Sequence, residues 1–149
     1  MNKLKPNNYI FTKMKPVIQE EPTGCAIASA AAIAGISYTK AKQVANKMGI
    51  FAQDASLWSD PKHIRDLLEK LSIKTDTKEV PFTDWKSLPD CALLSTKWHM
   101  EAGKPFWHWA VFVRDNDGHY VLDSKKSLKK NLRRDFGKIK PKWYIKVYL

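Results

Sequence analysis

The sequence predicts an α+β fold, an N-terminal half of three helices packed on a C-terminal antiparallel sheet. Three observations predict it. The run Ala26-Ile27-Ala28-Ser29-Ala30-Ala31-Ala32-Ile33-Ala34 is small and apolar on every face, so it reads as a buried helix made mostly of the best helix former. Two later segments carry apolar residues at helical spacing. From Ile73 onward that period is lost, and β-type runs separated by turn residues take over.

Each element has a local justification. Pro22 and Gly24 punctuate a turn ahead of the first helix, which runs from about Thr23 to Ala34 and stops at Gly35. At about twelve residues it is too short to cross a bilayer, which takes roughly 20. Ser37 is the N-cap of a second helix that reaches Met48 and stops at Gly49, with Ala41, Val44, Ala45 and Met48 on one stripe. Phe51 to Ser59 reads as a loop carrying Trp58. Asp60-Pro61 then starts a third helix with Ile64, Leu67, Leu68 and Leu71 at helical spacing and His63 at the boundary of the stripe. Ile73 to Val80 is a candidate strand, Asp84 to Leu88 a short helix or turn, Cys91 to Trp98 a buried strand and His99 to Pro105 a loop. Trp109–Val113 and His119–Asp123 form a hairpin around Asp115-Asn116-Asp117-Gly118. Trp143 to Leu149 alternates like a last strand, giving four or five strands in all.

Length and composition bound the rest. The 149 residues make one domain over 18–149, preceded by an arm over 1–17 that Pro6 and Pro16 interrupt. Two cysteines in a chain of this length do not form a disulfide framework, and no CxxC or HExxH spacing offers a metal site, so neither a metal nor a cofactor is expected. The basic N-terminus has no apolar segment of the signal-peptide kind and no membrane span is visible, so a cytoplasmic location with a reduced Cys25 is expected. A formal net charge of +11 points to acidic partners: nucleic acid, a membrane surface or an acidic substrate.

Cys25 opens the first helix, where unpaired amides and the positive dipole end favour a thiolate, the form that acts as a nucleophile. A lone cysteine is more often a small buried hydrophobe. Gln19, six residues earlier, weakens that reading. Folded back across the turn, its side-chain amide can donate to a developing oxyanion.

Gln19-x5-Cys25 at the head of a buried helix resembles the papain-like cysteine peptidases, whose oxyanion Gln precedes the nucleophile and whose His and Asp or Asn lie on later strands. His108, in Trp107-His108-Trp109-Ala110-Val111-Phe112-Val113, and Asp123, in Tyr120-Val121-Leu122-Asp123-Ser124, stand in that order. The arrangement is similar to the bacterial bacteriocin-processing (double-glycine leader) peptidases and their stand-alone relatives, over Gln19 to about Asp123. The helix-then-sheet order is also that of the papain-like fold. The resemblance implies a thiol-dependent hydrolase of peptide or amide bonds, or an amidase or acyl-transfer variant, acting on a peptide or protein. Cys25 attacks the carbonyl, His108 moves the proton, Asp123 holds the imidazole, and Gln19 with the Cys25 amide makes the oxyanion hole. His108 and Asp123 lie on paired arms of one hairpin, 15 residues apart, where side chains sharing a face can touch. His99 and His119 are the rival bases. Trp107 and Trp109 are expected on opposite sides of the strand, one in the core and the other lining a substrate cleft; Gly24 is a third candidate to touch substrate.

Two alternatives stand beside this. The segment from Lys125 to Lys142 holds nine Lys and Arg against Asp135 alone, with Phe136 and Trp143 nearby, and suits a nucleic-acid or acidic-surface binder on a catalytically silent peptidase-like fold. An interaction module on the same silent fold is the other. The basic segment also hints at an acidic or phosphorylated substrate.

Overall fold

The computed structural model describes residues 14–149. Most of the expected arm over 1–17 lies outside them; residues 14–17 have no regular secondary structure, and Met14 and Val17 rest against the core.

Three α-helices are present among the described residues: α1 (Cys25–Ala34), α2 (Tyr38–Lys47) and α3 (Lys62–Lys70). Every α1 residue from Cys25 to Ile33 is buried, as its all-round apolar pattern requires. Gly35 ends the helix at φ 71°, the left-handed conformation a Cβ disfavours. The Ser37 side chain accepts from the Lys40 amide at the start of α2, and Asp60 accepts from the Lys62 amide ahead of α3. The loop carrying Trp58 contains a short 3₁₀ turn, Ala55–Trp58, capped by Asp54.

Seven strands form one antiparallel sheet: β1 (Lys74–Thr75), β2 (Val80–Pro81), β3 (Cys91–Glu101), β4 (Lys104–Asp115), β5 (Gly118–Leu122), β6 (Leu132–Arg133) and β7 (Trp143–Tyr148). Their order is β1-β7-β3-β4-β5-β6, with β2 also on β7. The last strand of the chain therefore sits inside the sheet, against β3.

Two expectations need correction, and a third is narrowed. Ile73–Val80 is not one strand but two short edge pieces, β1 and β2, both against β7; such edge strands carry no alternating apolar face. Residues 84–88 take the turn of the two expected forms, with the Asp84 carboxylate accepting from the Ser87 amide and hydroxyl. The expected loop His99–Pro105 is strand: β3 and β4 run on to a two-residue turn at Ala102-Gly103, both at positive φ as a primed hairpin turn demands.

The sheet is covered on both faces. Leu93, Trp109, Val111, Tyr120 and Ile145 meet the helices. Ala92, Leu94, Ala110, Phe112 and Val121 face a second cluster with Leu88 and Ile139. Trp85 closes that side, its ring 4.8 Å from Phe136 and 5.0 Å from Phe82. Positions alternate because successive strand side chains point to opposite faces.

Candidate functional site

The seam between α1 and the sheet brings the sequence-predicted residues together. Cys25 is the first residue of α1, so its amide is among those the helix leaves without an internal partner. Its sulfur accepts from the Trp109 amide of β4 at 3.4 Å. His108, one residue earlier on β4, is in hydrogen-bonding contact with Cys25 on one side and with Asp123 on the other. The His108 Nε2 to Asp123 Oδ1 distance is 2.7 Å, which leaves Nδ1 as the nitrogen facing the thiol. Thr96 of β3 fixes the strand beneath by donating to the His108 carbonyl at 2.9 Å.

Electrostatics follow from that geometry. Burial pulls the His108 imidazole down, but the Asp123 carboxylate and the Cys25 sulfur beside it prevail, and it is raised from 6.5 to about 9. Burial pushes the Asp123 carboxyl up; His108, the Lys125 amide and Arg133 outweigh it and hold the group down at about 2. Asp123 is thus an anion at neutral pH, 4% exposed and fully bonded.

Gln19 is 7% exposed and tied to the residue after Asp123. Its amide nitrogen of the main chain donates to the Ser124 carbonyl at 3.0 Å, and the Ser124 hydroxyl donates to its Oε1 at 2.7 Å. Both side-chain N–H groups of Gln19 are engaged, with the carbonyls of Glu21 and Pro22 at 3.0 Å each. An oxyanion therefore has to compete with a loop carbonyl for this donor.

A cleft of about 590 Å³ opens on the seam, lined among others by Gln19, Trp58, Lys97, Trp107, His108 and Lys125. Cys25 lies just beneath it with no exposed surface. The indole N–H groups of Trp58 and Trp107 are buried without a hydrogen-bond partner among the described residues.

Of the three expected substrate-contacting residues, only Trp107 reaches the cleft. Trp107 and Trp109 are not on opposite sides of β4. Residues two apart on a strand share a face, and their rings meet edge to face at 5.5 Å. Trp109 is core: it is wholly buried and its indole donates to the Leu57 carbonyl at 2.9 Å. Gly24 is buried too, but faces α2. A Cβ there would lie 2.3 Å from the Tyr38 hydroxyl. That hydroxyl donates to Glu21, which Lys42 also engages, so the loop before Cys25 is clamped to α2.

Neither rival histidine takes the place beside Cys25, although His99 lines the same cleft. His99 is bonded to the Lys97 carbonyl and to Glu101, and His119 packs near Phe136 at 5.0 Å. Cys91 is a core residue of β3, its thiol pushed up to about 12 by burial and by Asp90. Both cysteines are free. No cluster of metal-ligating side chains occurs among the described residues, and no described helix is long and apolar enough to cross a membrane.

Sequence reasoning missed three supporting residues. Arg133 Nη1 donates to Asp123 Oδ2 at 2.9 Å, Asn131 donates to the Asp123 carbonyl at 2.7 Å, and Ser124 holds Gln19. Arg133 counted only as one of many basic residues, and nothing in its spacing distinguished it. Ser124 stood out only as the residue following Asp123. No protein-family model matches this chain, and no curated protein matches it.

Proposed function

We propose that the chain is a thiol-dependent hydrolase of peptide or other amide bonds, built on a papain-like α+β fold. The observation that carries the reading is His108 held between the Cys25 sulfur and the ionised Asp123 carboxylate, 2.7 Å from the latter. Asp123 fixes the ring with Nδ1 toward the thiol. His108 takes the thiol proton, and Cys25 attacks the carbonyl carbon. His108 then gives the proton to the departing amine. Water, activated by the same imidazole, releases the acyl group as a carboxylic acid. The oxyanion formed on the way is a stronger acceptor than the neutral Glu21 or Pro22 carbonyl. It therefore draws the Gln19 amide away from one of them and shares the Cys25 amide.

Alkylation by iodoacetamide tests the reading, followed by mass spectrometry on native wild type, Cys25→Ala and His108→Ala. Cys91 stays silent because its thiol is raised to about 12, so a single label reports Cys25. Rapid labelling of Cys25 at pH 6–7, below the ordinary thiol pKa of about 8.5, that His108→Ala slows roughly tenfold or more supports the pair. Labelling that rises only near the ordinary thiol pKa and ignores residue 108 overturns it.

A further inference from the structure

The cleft beside His108 has a basic wall. β3 breaks register between Thr96 and His99, and Lys97 in that bulge has φ 52°, an uncommon conformation for a residue with a Cβ. Bulges re-aim side chains next to functional sites. Here the bulged residue lines the cleft together with Lys125 and Lys126, from the segment after Asp123.

The Lys97 and Lys125 side chains line one wall, and the neighbouring Lys125, together with burial, holds Lys97 below the usual lysine range. Neighbouring like charges repel unless an anion lies between them. Among the described residues the Asp123 carboxylate acts on Lys97 in this sense, but no carboxylate is bonded to either lysine. Asp123 is spent on His108 and Arg133, Glu21 on Tyr38 and Lys42, and Glu101 on His99. Glu20, the other acid of the cleft, forms no ion pair among the described residues. Arg133 adds a further positive charge nearby. Trp107 lines the same cleft, and its buried indole N–H has no hydrogen-bond partner among the described residues. The Lys97–Lys125 side of the cleft thus offers donors to which no carboxylate of the described residues is bonded.

We propose that Lys97 and Lys125 form an anion subsite of the cleft, and that the substrate carries a carboxylate next to the bond that Cys25 attacks. The carboxylate comes either from an acidic side chain or from a free chain terminus. This specificity rests on the hydrolase reading, but its test does not depend on turnover.

Cys25→Ala protein is titrated with N-acetyl tripeptide pools at fixed ionic strength, and binding is followed by tryptophan fluorescence. Pools differ by Glu or Gln at each position, and by a C-terminal carboxylate or amide. The acidic form of one pair binds at least about tenfold more tightly, the worth of a hydrogen bond to a charged group. A Glu-over-Gln preference identifies the side chain as the source, and a carboxylate-over-amide preference the chain terminus. Lys97→Gln and Lys125→Gln each abolish most of the preference, whereas Lys140→Gln, outside the cleft, leaves it. Acidic and neutral pools that bind within about twofold, or no binding up to millimolar concentration, overturn the subsite. So does a preference that survives both substitutions. Acid-selective binding by a protein whose Cys25 proves inert to alkylation keeps the subsite and removes the hydrolase.

Discussion

Arg133 donates to Oδ2 of Asp123 at 2.9 Å, on the side of the carboxylate opposite His108. The carboxylate cannot rotate without breaking a charge-assisted bond. Arg133 is braced in turn by Asp135, at 2.9 and 2.7 Å, and by the pairing of β6 with β5. The imidazole is therefore oriented by a chain of three residues, Asp123, Arg133 and Asp135, of which only the first belongs to the expected triad.

Arg133→Met keeps the aliphatic stem and removes the charge. Asp123 then loses one of the groups that hold it near 2, and its folded-state pKa rises toward the ordinary 3.8. A depressed carboxylate contributes stability above its unfolded pKa and loses it as pH falls through the folded one. The variant should be less stable at pH 7 by about 2 kcal/mol, the scale of a hydrogen bond to a charged group. The deficit should shrink as pH drops from 4 toward 2. Urea unfolding across that range measures it; a deficit independent of pH would assign Arg133 a packing role alone.

His108 predicts the opposite limb. Its folded-state pKa is raised to about 9 from 6.5, so the native protein holds a proton there that the unfolded chain has released. The associated stability is complete below about 6.5 and disappears as pH rises through 9. A shift of this size corresponds to about 3 kcal/mol. Wild type should lose that much unfolding free energy between pH 6 and 10, and His108→Gln should lose much less. Parallel curves for the two proteins would show that the imidazole titrates as it does in the unfolded chain.

Much of this site was legible in the sequence, because each part has a local signature. The alanine run fixed a buried helix, the Asp115–Gly118 turn fixed the hairpin, and together they placed Cys25, His108 and Asp123 at one seam. What escaped depends on contacts distant in the chain. Gln19 and Ser124 are 105 residues apart and meet only once the sheet is built. The second face of the sheet needed Trp85 and Phe136 to converge on Phe112, from segments with no periodicity. Ile73–Val80 read as one strand because composition does not reveal where an edge strand breaks. Trp109 was misplaced for a different reason, a miscounted pleat: it shares the face of Trp107.

Gln19 separates binding of the thiol proton from stabilisation of an oxyanion. Alkylation by iodoacetamide passes through no tetrahedral oxyanion, whereas amide hydrolysis does. Gln19→Ala should therefore leave the alkylation rate of Cys25 within about threefold and lower kcat for an amide substrate roughly 10²–10³-fold, as loss of an oxyanion donor does elsewhere. Equal losses in both assays would mean that Gln19 only supports the loop through Glu21, Pro22 and Ser124.

Gly24 and Tyr38 form a steric pair. Gly24 has an ordinary φ of −87°, so its requirement is space, not backbone freedom. A Cβ there would stand 2.3 Å from the Tyr38 hydroxyl, and Tyr38 is 6% exposed with that hydroxyl bonded to Glu21. Neither partner can move aside freely. Gly24→Ala should cost about 1–3 kcal/mol, the usual range for overpacking. Tyr38→Phe should cost about 1 kcal/mol through its lost hydrogen bond. In the double variant the new methyl enters the volume the hydroxyl leaves, so the combined loss should fall short of the sum by about 1 kcal/mol. Urea unfolding of the four proteins decides. Additivity within about 0.5 kcal/mol would show that the turn before Cys25 relaxes without meeting Tyr38.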